Sequence, residues 1–547
     1  MTAAVRFYWA FVVLMLPLSF YVLVDATQWS IAPVSLFQQP WQLILFLGVV
    51  VFAATGLYDL FIADSNLRKN YPVFANIRFM LEGIRPEIRQ YFIADNLEEA
   101  PFNRETRDLI YRRAKQLDDT LPFGTERDIL ADGYLCIFHS INARHINPEH
   151  ARVTIGGPAC RQPYSSALLN VSGMSFGALS NNAISALNKG AKLGGFSHNT
   201  GEGGISPYHL EHGGDLVWQI GTGYFGCRQT DGRFSDEAFR RAAAHDAVKM
   251  IEIKLSQGAK PSHGGVLPGA KVSPEIAAIR LVEVGQTVYS PASHPEFDTP
   301  RGLLEFVQRL RELSDGKPVG FKLCIGKKSE FMAIVKAMVD TGILPDFINI
   351  DGAEGGTGAA PMEFSNRLGM PVLEATYFVE QVLKGAGLRQ DIKLIAAGKT
   401  ASGFDILAKI ALGADVVNSG RAMMLALGCI QSKSCNTNKC PTGVATQDAS
   451  RAKAVNVDLR AVRVRNFQAG TVSAFLELCG ALGYEHPGQL QPSDLHQRTD
   501  KGLRHFDQIY TPLRHEQLIE GRVPEAYEDD WHKASADSFQ GVLKTGA

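Results

Sequence analysis

Between residues 167 and 420, short apolar runs alternate with amphipathic stretches of helical periodicity. The apolar runs predict eight strands: Leu168–Gly173, Gly195–His198, Leu216–Tyr224, Lys249–Leu255, Val319–Ile325, Phe347–Ile350, Lys393–Ala397 and Asp415–Asn418. Helices are predicted between them, among others Asn181–Lys192, Ser235–Ala244, Pro300–Leu313, Glu330–Thr341 and Gly403–Leu412. Eight such units predict an α/β fold, the TIM (β/α)8 barrel, with its chemistry at the C-terminal strand ends. An open doubly wound sheet is the competing fold, but no G-x-G-x-x-G follows the first strand.

Two long apolar runs precede the barrel region. Phe7–Val24 contains no charged residue, and Leu43–Leu57 forms the second run. Runs near twenty residues match the thickness of the hydrocarbon core of a bilayer. A cleaved signal peptide is the alternative for the first run, with Val24-Asp25-Ala26 as a weak cleavage site, but a second run follows it. We therefore predict a transmembrane hairpin of two helices within residues 1–64.

The basic residues around these runs predict their orientation. Arg6 precedes the first run, and the connector between the runs, residues 25–40, has no Lys or Arg. Basic residues follow the second run: Arg68, Lys69, Arg78, Arg85 and Arg89. The positive-inside rule then predicts a multi-pass protein of the cytoplasmic membrane, with its catalytic domain facing the cytoplasm. In that reducing compartment the eight cysteines are expected as free thiols or ligands and not as disulfides.

The rest of the chain divides by composition. Residues 65–150 are predicted to form a helical connector, with Asn103–Leu117 as a surface helix. Residues 151–480 are assigned to the barrel, and residues 481–547, which are polar with little periodicity, to a C-terminal tail. The formal net charge of −1 gives no reason to expect a nucleic-acid partner.

Glycine-rich motifs follow several of the predicted strands. Asn170–Gly177 follows the first, Asn199–Gly204 the second and Asp351–Gly358 the sixth. Small residues there allow backbone amides to approach a planar cofactor closely. Phosphate groups commonly bind the loops after strands seven and eight of such barrels, so the loops at Gly398 and Gly420 are predicted to hold a phosphate.

The most polar strand end is that of the fourth strand. It carries a set of cationic and amide side chains: Lys254, Gln257 and Lys260, with Arg280 on a predicted helix that follows. Cations without local carboxylate partners are costly inside a barrel mouth unless they bind an anion. These residues therefore suit a dicarboxylate substrate. A solvated loop is the alternative, and it is the interpretation we expect to hold for Glu252 and Lys271.

Three of the eight cysteines, Cys429, Cys435 and Cys440, lie in one loop with the spacing C-x5-C-x4-C. A zinc site usually needs four nitrogen or sulfur ligands, and no fourth cysteine or nearby histidine completes the set. Three soft thiolates suit an iron–sulfur cluster that lacks one iron corner. From the spacing alone, such a cluster and an incidental cysteine-rich loop both stay open.

Six motifs between residues 150 and 480 resemble the synthase region of glutamate synthases, in the same order: GMSFG at 173–177, NTGEGG at 199–204, EIKLSQGAKPSHGGVLPG at 252–269, SPASH at 290–294, DGAEGGTGAAP at 351–361, and the cysteine loop that continues to Gln447. Motifs of this length are specific. The resemblance implies an FMN-binding barrel in which Cys429, Cys435 and Cys440 hold a [3Fe–4S] cluster that passes electrons to the flavin.

The resemblance also implies roles for single residues. FMN would contact nine of them: Gly173, Met174, Ser175, Gln257, Gly355, Gly356, Gly398, Gly420 and Arg421. Lys260 and Gln257 would approach flavin and substrate as catalytic residues, and Glu202 would join them as the glutamate that this family associates with ammonia delivery. Lys254 and Arg280 would hold the carboxylates of 2-oxoglutarate.

Three features depart from that family. Met1 is followed by Thr2 and a predicted span, and not by a nucleophilic cysteine, so we expect no glutaminase domain. Only a short tail follows the barrel region, so the long C-terminal β-helical domain is also expected to be missing. Val266 stands where the family has a glutamine near the substrate, which leaves the 2-oxo acid open.

The sequence thus predicts a membrane-anchored, glutamate synthase-like oxidoreductase. Ammonia or another amine, free or from a possible amidotransferase subunit, would condense with 2-oxoglutarate or a similar 2-oxo acid, and reduced FMN would deliver a hydride to the imine. Electrons would come from ferredoxin or a membrane donor. Two alternatives stay open: a relative that uses methylamine, another amine or another 2-oxo acid, and a membrane flavin/Fe–S electron-transfer protein.

Overall fold

Eight parallel strands close into a barrel in the computed structural model of the chain, which describes residues 2–26 and 40–541. Each strand pairs with the next in chain order, and the last pairs with the first. The strands are β1 (Leu169–Val171), β2 (His198–Asn199), β3 (Leu216–Ile220), β4 (Val248–Lys254), β5 (Val319–Leu323), β6 (Phe347–Asp351), β7 (Lys393–Ala397) and β8 (Val416–Ser419). The predicted TIM-like barrel is confirmed, and each predicted strand overlaps an observed one, although β2 shares only His198 with the predicted Gly195–His198.

Some strands are shorter than their apolar runs suggest. β3 ends at Ile220, because the glycines at 221 and 223 turn the chain into a loop before the apolar Tyr224 is reached. Tyr224 itself has a positive φ of 47°, which no strand accommodates. The residues beyond the strand ends therefore belong to the loops at the mouth of the barrel.

Helices surround the barrel, and the five predicted helices named above are confirmed to within two residues at each end. The helices of this part of the chain are Arg104–Lys115, Asn181–Gly194, Pro207–Leu210, Asp236–Ala243, Pro274–Arg280, Pro300–Leu313, Lys328–Thr341, Met362–Arg367, Val372–Gly385, Gly403–Ala411, Arg421–Ala426, Ala449–Ala452, Val457–Ala481, Phe506–Ile509 and Glu525–Lys533. Short 3-10 turns lie at Pro148–His150, Gly269–Lys271 and Pro487–Gln489.

Side-chain caps fix where many of these helices begin. Ser or Thr precedes the helix and accepts a hydrogen bond from a backbone N–H in its first turn, at Ser180, Ser235, Ser273, Thr299 and Ser402. Such a cap contributes about 1 kcal/mol to helix stability. The caps explain why helix starts were predictable from the sequence.

A β-hairpin closes the N-terminal end of the barrel. Its strands, Arg152–Ile155 and Tyr164–Ala167, are antiparallel, and Ile155 and Tyr164 are buried. They form one apolar cluster with residues near the starts of barrel strands: Val217, Met250, Phe347, Ile395 and Val416. This packing fills the lower end of the barrel and leaves the opposite end, where the strands terminate, for a site.

The longest helix of this part, Val457–Ala481, packs along Asn181–Gly194. The approach is close at Gly190, where an added Cβ would lie 2.9 Å from the carbonyl oxygen of Ala461. Two small antiparallel sheets complete the fold, with the strands Leu135–Cys136, His496–Thr499 and Gly502–His505 in one, and Val266–Leu267 and Val288–Tyr289 in the other. Beyond residue 480, apolar side chains such as Leu513, Leu518 and Trp531 are buried in the helical layer.

The chain divides into two compact units, Met1–Glu99 and Ala100–Ala547. The first contains the helices Ala3–Ala26, Pro40–Phe61, Asn66–Asn70 and Phe74–Ile88, followed by the π-helical turn Arg89–Ile93. The predicted division into hairpin (1–64), connector (65–150), barrel (151–480) and tail (481–547) stays a prediction.

The first two helices of that unit are long and apolar enough to cross a bilayer. Only 11% and 22% of their most apolar windows are buried, and this length and composition are shared by signal sequences and by core helices of soluble proteins. They pack against each other where the Tyr8 hydroxyl donates a 2.6 Å hydrogen bond to the Ala53 carbonyl. Residues 27–39 of the predicted connector lie outside the described residues.

Candidate active site

A cavity of about 490 Å³ opens at the C-terminal ends of the barrel strands. Its lining comes from the ends of all eight strands and the loops that follow them. It includes every residue proposed above for flavin, substrate or catalysis: Gly173, Met174, Ser175, Glu202, Lys254, Gln257, Lys260, Arg280, Gly355, Gly356, Gly398, Gly420 and Arg421. Residues separated by up to about half of the chain are therefore brought together at one place, while their roles stay predictions.

A buried carboxylate, Glu252, lies beneath the cavity inside the barrel. Its side chain accepts hydrogen bonds from the amides of Asn199 (2.9 Å), Gln219 (2.6 Å) and Asn349 (2.7 Å), on three other strands. Glu252 was expected in a solvated loop, and that expectation is wrong. The sequence pattern does not reveal the burial of Glu252. This residue alternates with apolar residues in a strand that is buried on both faces, so the usual alternation of buried and exposed residues does not apply.

Next to it lies a buried cation, Lys322, for which the sequence motifs predict no role. The ammonium of Lys322 is 3.2 Å from a carboxylate oxygen of Asp351, and both groups line the cavity. Burial alone would lower the pKa of Lys322, but the carboxylates of Asp351, Glu252 and Glu202 outweigh it and raise that pKa. The sequence does carry a sign of this residue, because Lys322 is the one charged residue in the apolar strand β5, which reads VGFKL. A charged residue there is expected only where it meets a partner or a ligand.

Glu202 and Lys254 form an ion pair in the mouth of the barrel, with 2.9 Å between Oε1 and Nζ. Burial would raise the pKa of Glu202, but the charges of Lys254, Arg280 and Lys260 lower it below its usual value. Glu202 is thus held as a carboxylate. One acid faces three cations, so the local charge is positive when all four groups are ionised.

Two of those cations are deeply buried. Burial lowers the pKa of Lys260 to about 8, although Glu202 opposes the shift. Burial likewise lowers the pKa of Arg280 to about 10. Arg280 donates to the Phe176 carbonyl at 3.0 Å and lies 5.1 Å over the Phe225 ring, while its Nε has no hydrogen-bond partner among the described residues. The prediction that Arg280 lies on a helix is confirmed.

The glycines of the strand-end loops are needed for close approach. A Cβ on Gly203 would lie 2.6 Å from the Arg280 guanidinium, and one on Gly258 would lie 1.7 Å from the carbonyl oxygen of Gly352. At Gly173, Gly398 and Gly420 an added Cβ would lie 3.0 to 3.3 Å from its nearest neighbour. Larger residues would therefore press against neighbouring segments of the protein at these loops.

Arg421 follows β8 and forms part of the wall. Its guanidinium donates to the Glu354 carbonyl and lies 5.3 Å over the Phe102 ring. Burial lowers the pKa of Arg421, and the carboxylates of Asp351 and Glu354 oppose this shift. The loops after β7 and β8 thus contribute both glycines and a cation to one side of the cavity.

The cysteine loop lies beside the cavity. Cys429 and Cys435 are among its lining residues, and Cys440 is buried outside that lining. Burial raises the pKa of Cys429 to about 11 and, with less effect, that of Cys435. Burial would raise the pKa of Cys440 too, but hydrogen bonds from Thr442 and from the backbone of Ala445 and Val444 lower it. Within residues 2–26 and 40–541, no three His, Cys, Asp or Glu side chains are arranged as a metal site.

Lys271, expected in a solvated loop, is buried beside this loop, so that expectation is also wrong. Its ammonium donates to the carbonyls of Ala178 and Ala445, each at 3.0 Å. These bonds join the loop after β1 to the end of the cysteine loop. Lys271 thus holds the two segments together.

The region described as conserved in glutamate synthase matches residues 143–485. The glutamate synthase large subunit-like protein YerD of Bacillus subtilis (strain 168) is 38% identical over 485 residues, which cover 81% of this chain and 92% of that protein. The archaeal glutamate synthase (NADPH) of Methanocaldococcus jannaschii is 37% identical over 311 residues, 57% of this chain and 58% of its own length.

Among solved structures, a mutant flavocytochrome b2 with pyruvate bound aligns over 77% of this chain and 85% of its own, with 13% identity and a TM-score of 0.40. That similarity is too low to transfer any property to this chain. The chain spans nearly all of YerD, but only about three fifths of the archaeal enzyme.

Proposed function

Because the chain belongs to the glutamate synthase family and is an oxidoreductase, we propose that it aminates 2-oxoglutarate reductively to L-glutamate with FMN as its cofactor. One observation carries the proposal: Lys254, Lys260 and Arg280 meet in the mouth of the barrel and face a single carboxylate, Glu202. Such an excess of buried positive charge is costly unless an anion binds there.

The cavity suits a flavin in its size and in its glycines. Gly173, Gly398 and Gly420 line it without side chains, and Arg421 with the loops after β7 and β8 supplies positive charge for a phosphate. We assign FMN to this side, held by the residues predicted for it. When bound and reduced, FMN supplies the hydride for the reaction.

The cations suit a substrate with two carboxylates. Lys254 and Arg280 are assigned to the carboxylates of 2-oxoglutarate, which would share Lys254 with Glu202. Because both carboxylates would be held by fixed cations, the oxo carbon between them would be oriented for attack by the amine. Buried cations also stabilise negative charge that develops on the substrate more strongly than exposed ones do.

Two residues can handle protons at neutral pH. Glu202 stays a carboxylate, because the surrounding cations lower its pKa, and so it can accept a hydrogen bond from an incoming amine. Lys260 has a pKa of about 8, close to the working pH, and its Nζ can therefore release a proton to the substrate and regain it. Gln257, in the same loop, is assigned to positioning at the cavity wall.

For the cysteine loop we propose the [3Fe–4S] cluster. The donor set fits chemically, because three thiols share one loop and soft thiolates select iron–sulfur clusters. The thiols also interact electrostatically with one another, as their pKa shifts reflect. Bound there, the cluster would pass single electrons to the flavin. Ferredoxin or a membrane donor would supply these electrons.

The cluster is tested by its metal content. Cys440→Ala should reduce the iron bound by anaerobically purified protein to background and remove the visible absorption of the cluster. Cys136→Ala is the matched control, since Cys136 lies in a small surface sheet. Iron that is unchanged in Cys440→Ala would overturn the assignment.

The two apolar helices are proposed to anchor the chain in the cytoplasmic membrane, with the barrel in the cytoplasm. Extraction of cell membranes with alkaline carbonate should leave the chain in the pellet. Proteolysis of intact spheroplasts should leave the barrel uncut.

A second activity is favoured by Val266, which lines the cavity. An apolar side chain there can accommodate an alkyl group on the amine, as in an N-methylglutamate synthase-like reaction. Ammonia would come free from solution or from an amidotransferase subunit.

Substrate-dependent reoxidation of the flavin tests these activities. The anaerobic protein is reduced with dithionite to a stoichiometric endpoint, and 2-oxoglutarate is added with ammonium, glutamine or methylamine in turn. Reoxidation with ammonium and formation of glutamate supports the proposal, and reoxidation with methylamine alone supports the second activity. No reoxidation with any pair overturns both and favours a flavin/Fe–S electron-transfer protein.

A further inference from the structure

An exposed apolar stripe runs along the helix Phe74–Ile88 and the π-helical turn Arg89–Ile93 that continues it. Its residues recur mostly at intervals of three and four: Phe74, Ile77, Met80, Leu81, Ile84, Tyr91, Phe92 and Ile93. This spacing places the first five on one side of the helix, and Tyr91, Phe92 and Ile93 are exposed in the turn that continues it. Phe92 is 85% exposed. Monomeric soluble proteins rarely leave an apolar face of this length uncovered.

A row of arginines follows the same segment. Arg78, Arg85 and Arg89 are seven and four residues apart, so they share one face of the helix. Arg78 pairs with Glu82 at 2.9 Å and Arg89 lies 3.9 Å from Glu98, and these side chains are exposed. Exposed pairs of this kind contribute little and are easily exchanged for another anion. The three arginines line a groove of about 560 Å³ together with Glu82, Ile88 and two residues of the stripe, Leu81 and Ile93.

The start of the segment is fixed to the second apolar helix, Pro40–Phe61. The buried Asp59 accepts hydrogen bonds from the backbone N–H of Val73 (2.9 Å) and the amide of Asn76 (2.6 Å). Its other oxygen is 3.8 Å from Arg68, which lies 4.8 Å over the Phe79 ring. The segment therefore leaves the apolar helix at a defined point, and the side that carries Phe79 packs within this unit while the stripe is exposed.

We propose that residues 74–93 form an interfacial helix that lies in the membrane surface, with the apolar stripe among the acyl chains and the arginine row on anionic lipid headgroups. Continuity with an exposed apolar helix of membrane-spanning length favours a bilayer as the occupant. Charge complementarity favours anionic lipid, because amphipathic helices with arginines beside an apolar face bind such surfaces. The inference rests on the proposed membrane anchor and not on the proposed reaction.

Photocrosslinking of the full chain tests which partner covers the stripe. A benzophenone amino acid is placed at Phe92, and the protein is irradiated in nanodiscs of phosphatidylcholine with phosphatidylglycerol. A lipid adduct, identified by its mass, is the expected product. Gly83 is the control position in the same helix, because it lies off the stripe and a Cβ there meets nothing within 4 Å. A chain–chain adduct at Phe92, or no adduct, overturns the proposal.

Hydrogen exchange tests the arginine row. The backbone amides of residues 77–92 should exchange more slowly in discs with phosphatidylglycerol than in phosphatidylcholine alone, by up to roughly fivefold per arginine and roughly a hundredfold in total. The variant Arg78→Gln/Arg85→Gln/Arg89→Gln should lose this difference. A variant that keeps it overturns the proposal. Carbonate extraction of the wild type is run in parallel. Release of the chain from the membrane would show that the proposed membrane anchor is wrong, independently of the arginine row.

Discussion

Two glutamates of the barrel, the buried Glu252 and the half-buried Glu202, differ in the groups that contact them. Glu252 lies inside the barrel and accepts hydrogen bonds from three neutral amides, which come from three other strands. Glu202 lies in the mouth, where Lys254 pairs with it at 2.9 Å and two further cations lower its pKa. The first carboxylate has all its partners within the fold. The second is surrounded by more positive charge than it can neutralise.

This difference separates a structural from a functional use of the same side chain. The amide donors to Glu252 are fixed on strands, so these hydrogen bonds hold the strands together and are not available to a ligand. Mobile ammonium groups can share their charge with an incoming anion. The mouth is therefore the part of the molecule for which we propose a substrate, and four changes test that distinction.

The largest effect is expected from Glu252→Leu. Three buried amide groups would lose their acceptor, at roughly 1–3 kcal/mol each, so the free energy of unfolding should fall by several kcal/mol. Denaturant unfolding followed by tryptophan fluorescence measures this. Glu237→Leu is the control, because Glu237 forms an exposed pair with Arg241 and should change stability by less than about 1 kcal/mol. Equal unfolding curves would refute the structural role of Glu252.

Lys254→Met should act on the reaction and not on the fold. Loss of this cation should lower kcat/KM for 2-oxoglutarate by about 10²- to 10³-fold, because it removes a charge from the substrate site. Flavin content and the unfolding midpoint should stay near those of the wild type. Lys249→Met, on the same strand but outside the cavity lining, is the matched control. A loss of stability without a change in KM would instead assign Lys254 to the structural group.

The pH dependence of substrate binding sharpens the comparison through Lys260. Burial lowers the pKa of Lys260 to about 8, so its charge is lost as pH rises through that value. Because the charge of Lys260 adds to that of Lys254 and Arg280 in attracting the anion, the Kd for 2-oxoglutarate, measured without amine, should rise by up to about tenfold per pH unit above about 8. Lys260→Arg should remove this rise, since arginine keeps its charge. A pH-independent wild-type Kd would contradict the role.

Folding stability should change with pH in the direction opposite to substrate binding: as pH rises, the contribution of Lys260 to the free energy of unfolding becomes less unfavourable. Its folded pKa lies below its ordinary value of 10.5, so the unfolded chain binds more protons between about pH 8 and 10.5. The unfavourable contribution of its burial is therefore full below pH 8 and is relieved as pH rises through this window. Weaker binding together with rising stability would distinguish a substrate-binding lysine from one that only supports the fold.

The smallest effect is expected from Val266→Gln, which adds a hydrogen-bonding group to the cavity wall. One such bond is worth about 1 kcal/mol, so the ratio of kcat/KM for ammonium over methylamine should rise by up to about fivefold. Competition of the two amines for the reduced enzyme measures that ratio directly. Val266→Ile serves as the control for side-chain size. An unchanged ratio would show that residue 266 does not determine the preference between the two amines.

The strands and most helices were predictable because their signals are local. The apolar run Lys393–Ala397 and the capped helix after Ser402 each carry their structure within a few residues. Glu252 and Lys271 were misjudged for the opposite reason. Their partners, such as Asn349 and Ala445, lie 97 and 174 residues away, and a charged residue without a visible partner was interpreted as solvated.

The amino-acid sequence by itself determined the barrel, the two apolar helices, and the residue types assembled around the site. Only the tertiary structure decided which charges meet there: Glu202 with Lys254, and Lys322 with Asp351. It also decided that the stripe on residues 74–93 stays uncovered while Glu252 is buried. The physical reason is that hydrophobic periodicity and capping act between neighbours along the chain, whereas burial and charge pairing depend on which distant strands and helices meet.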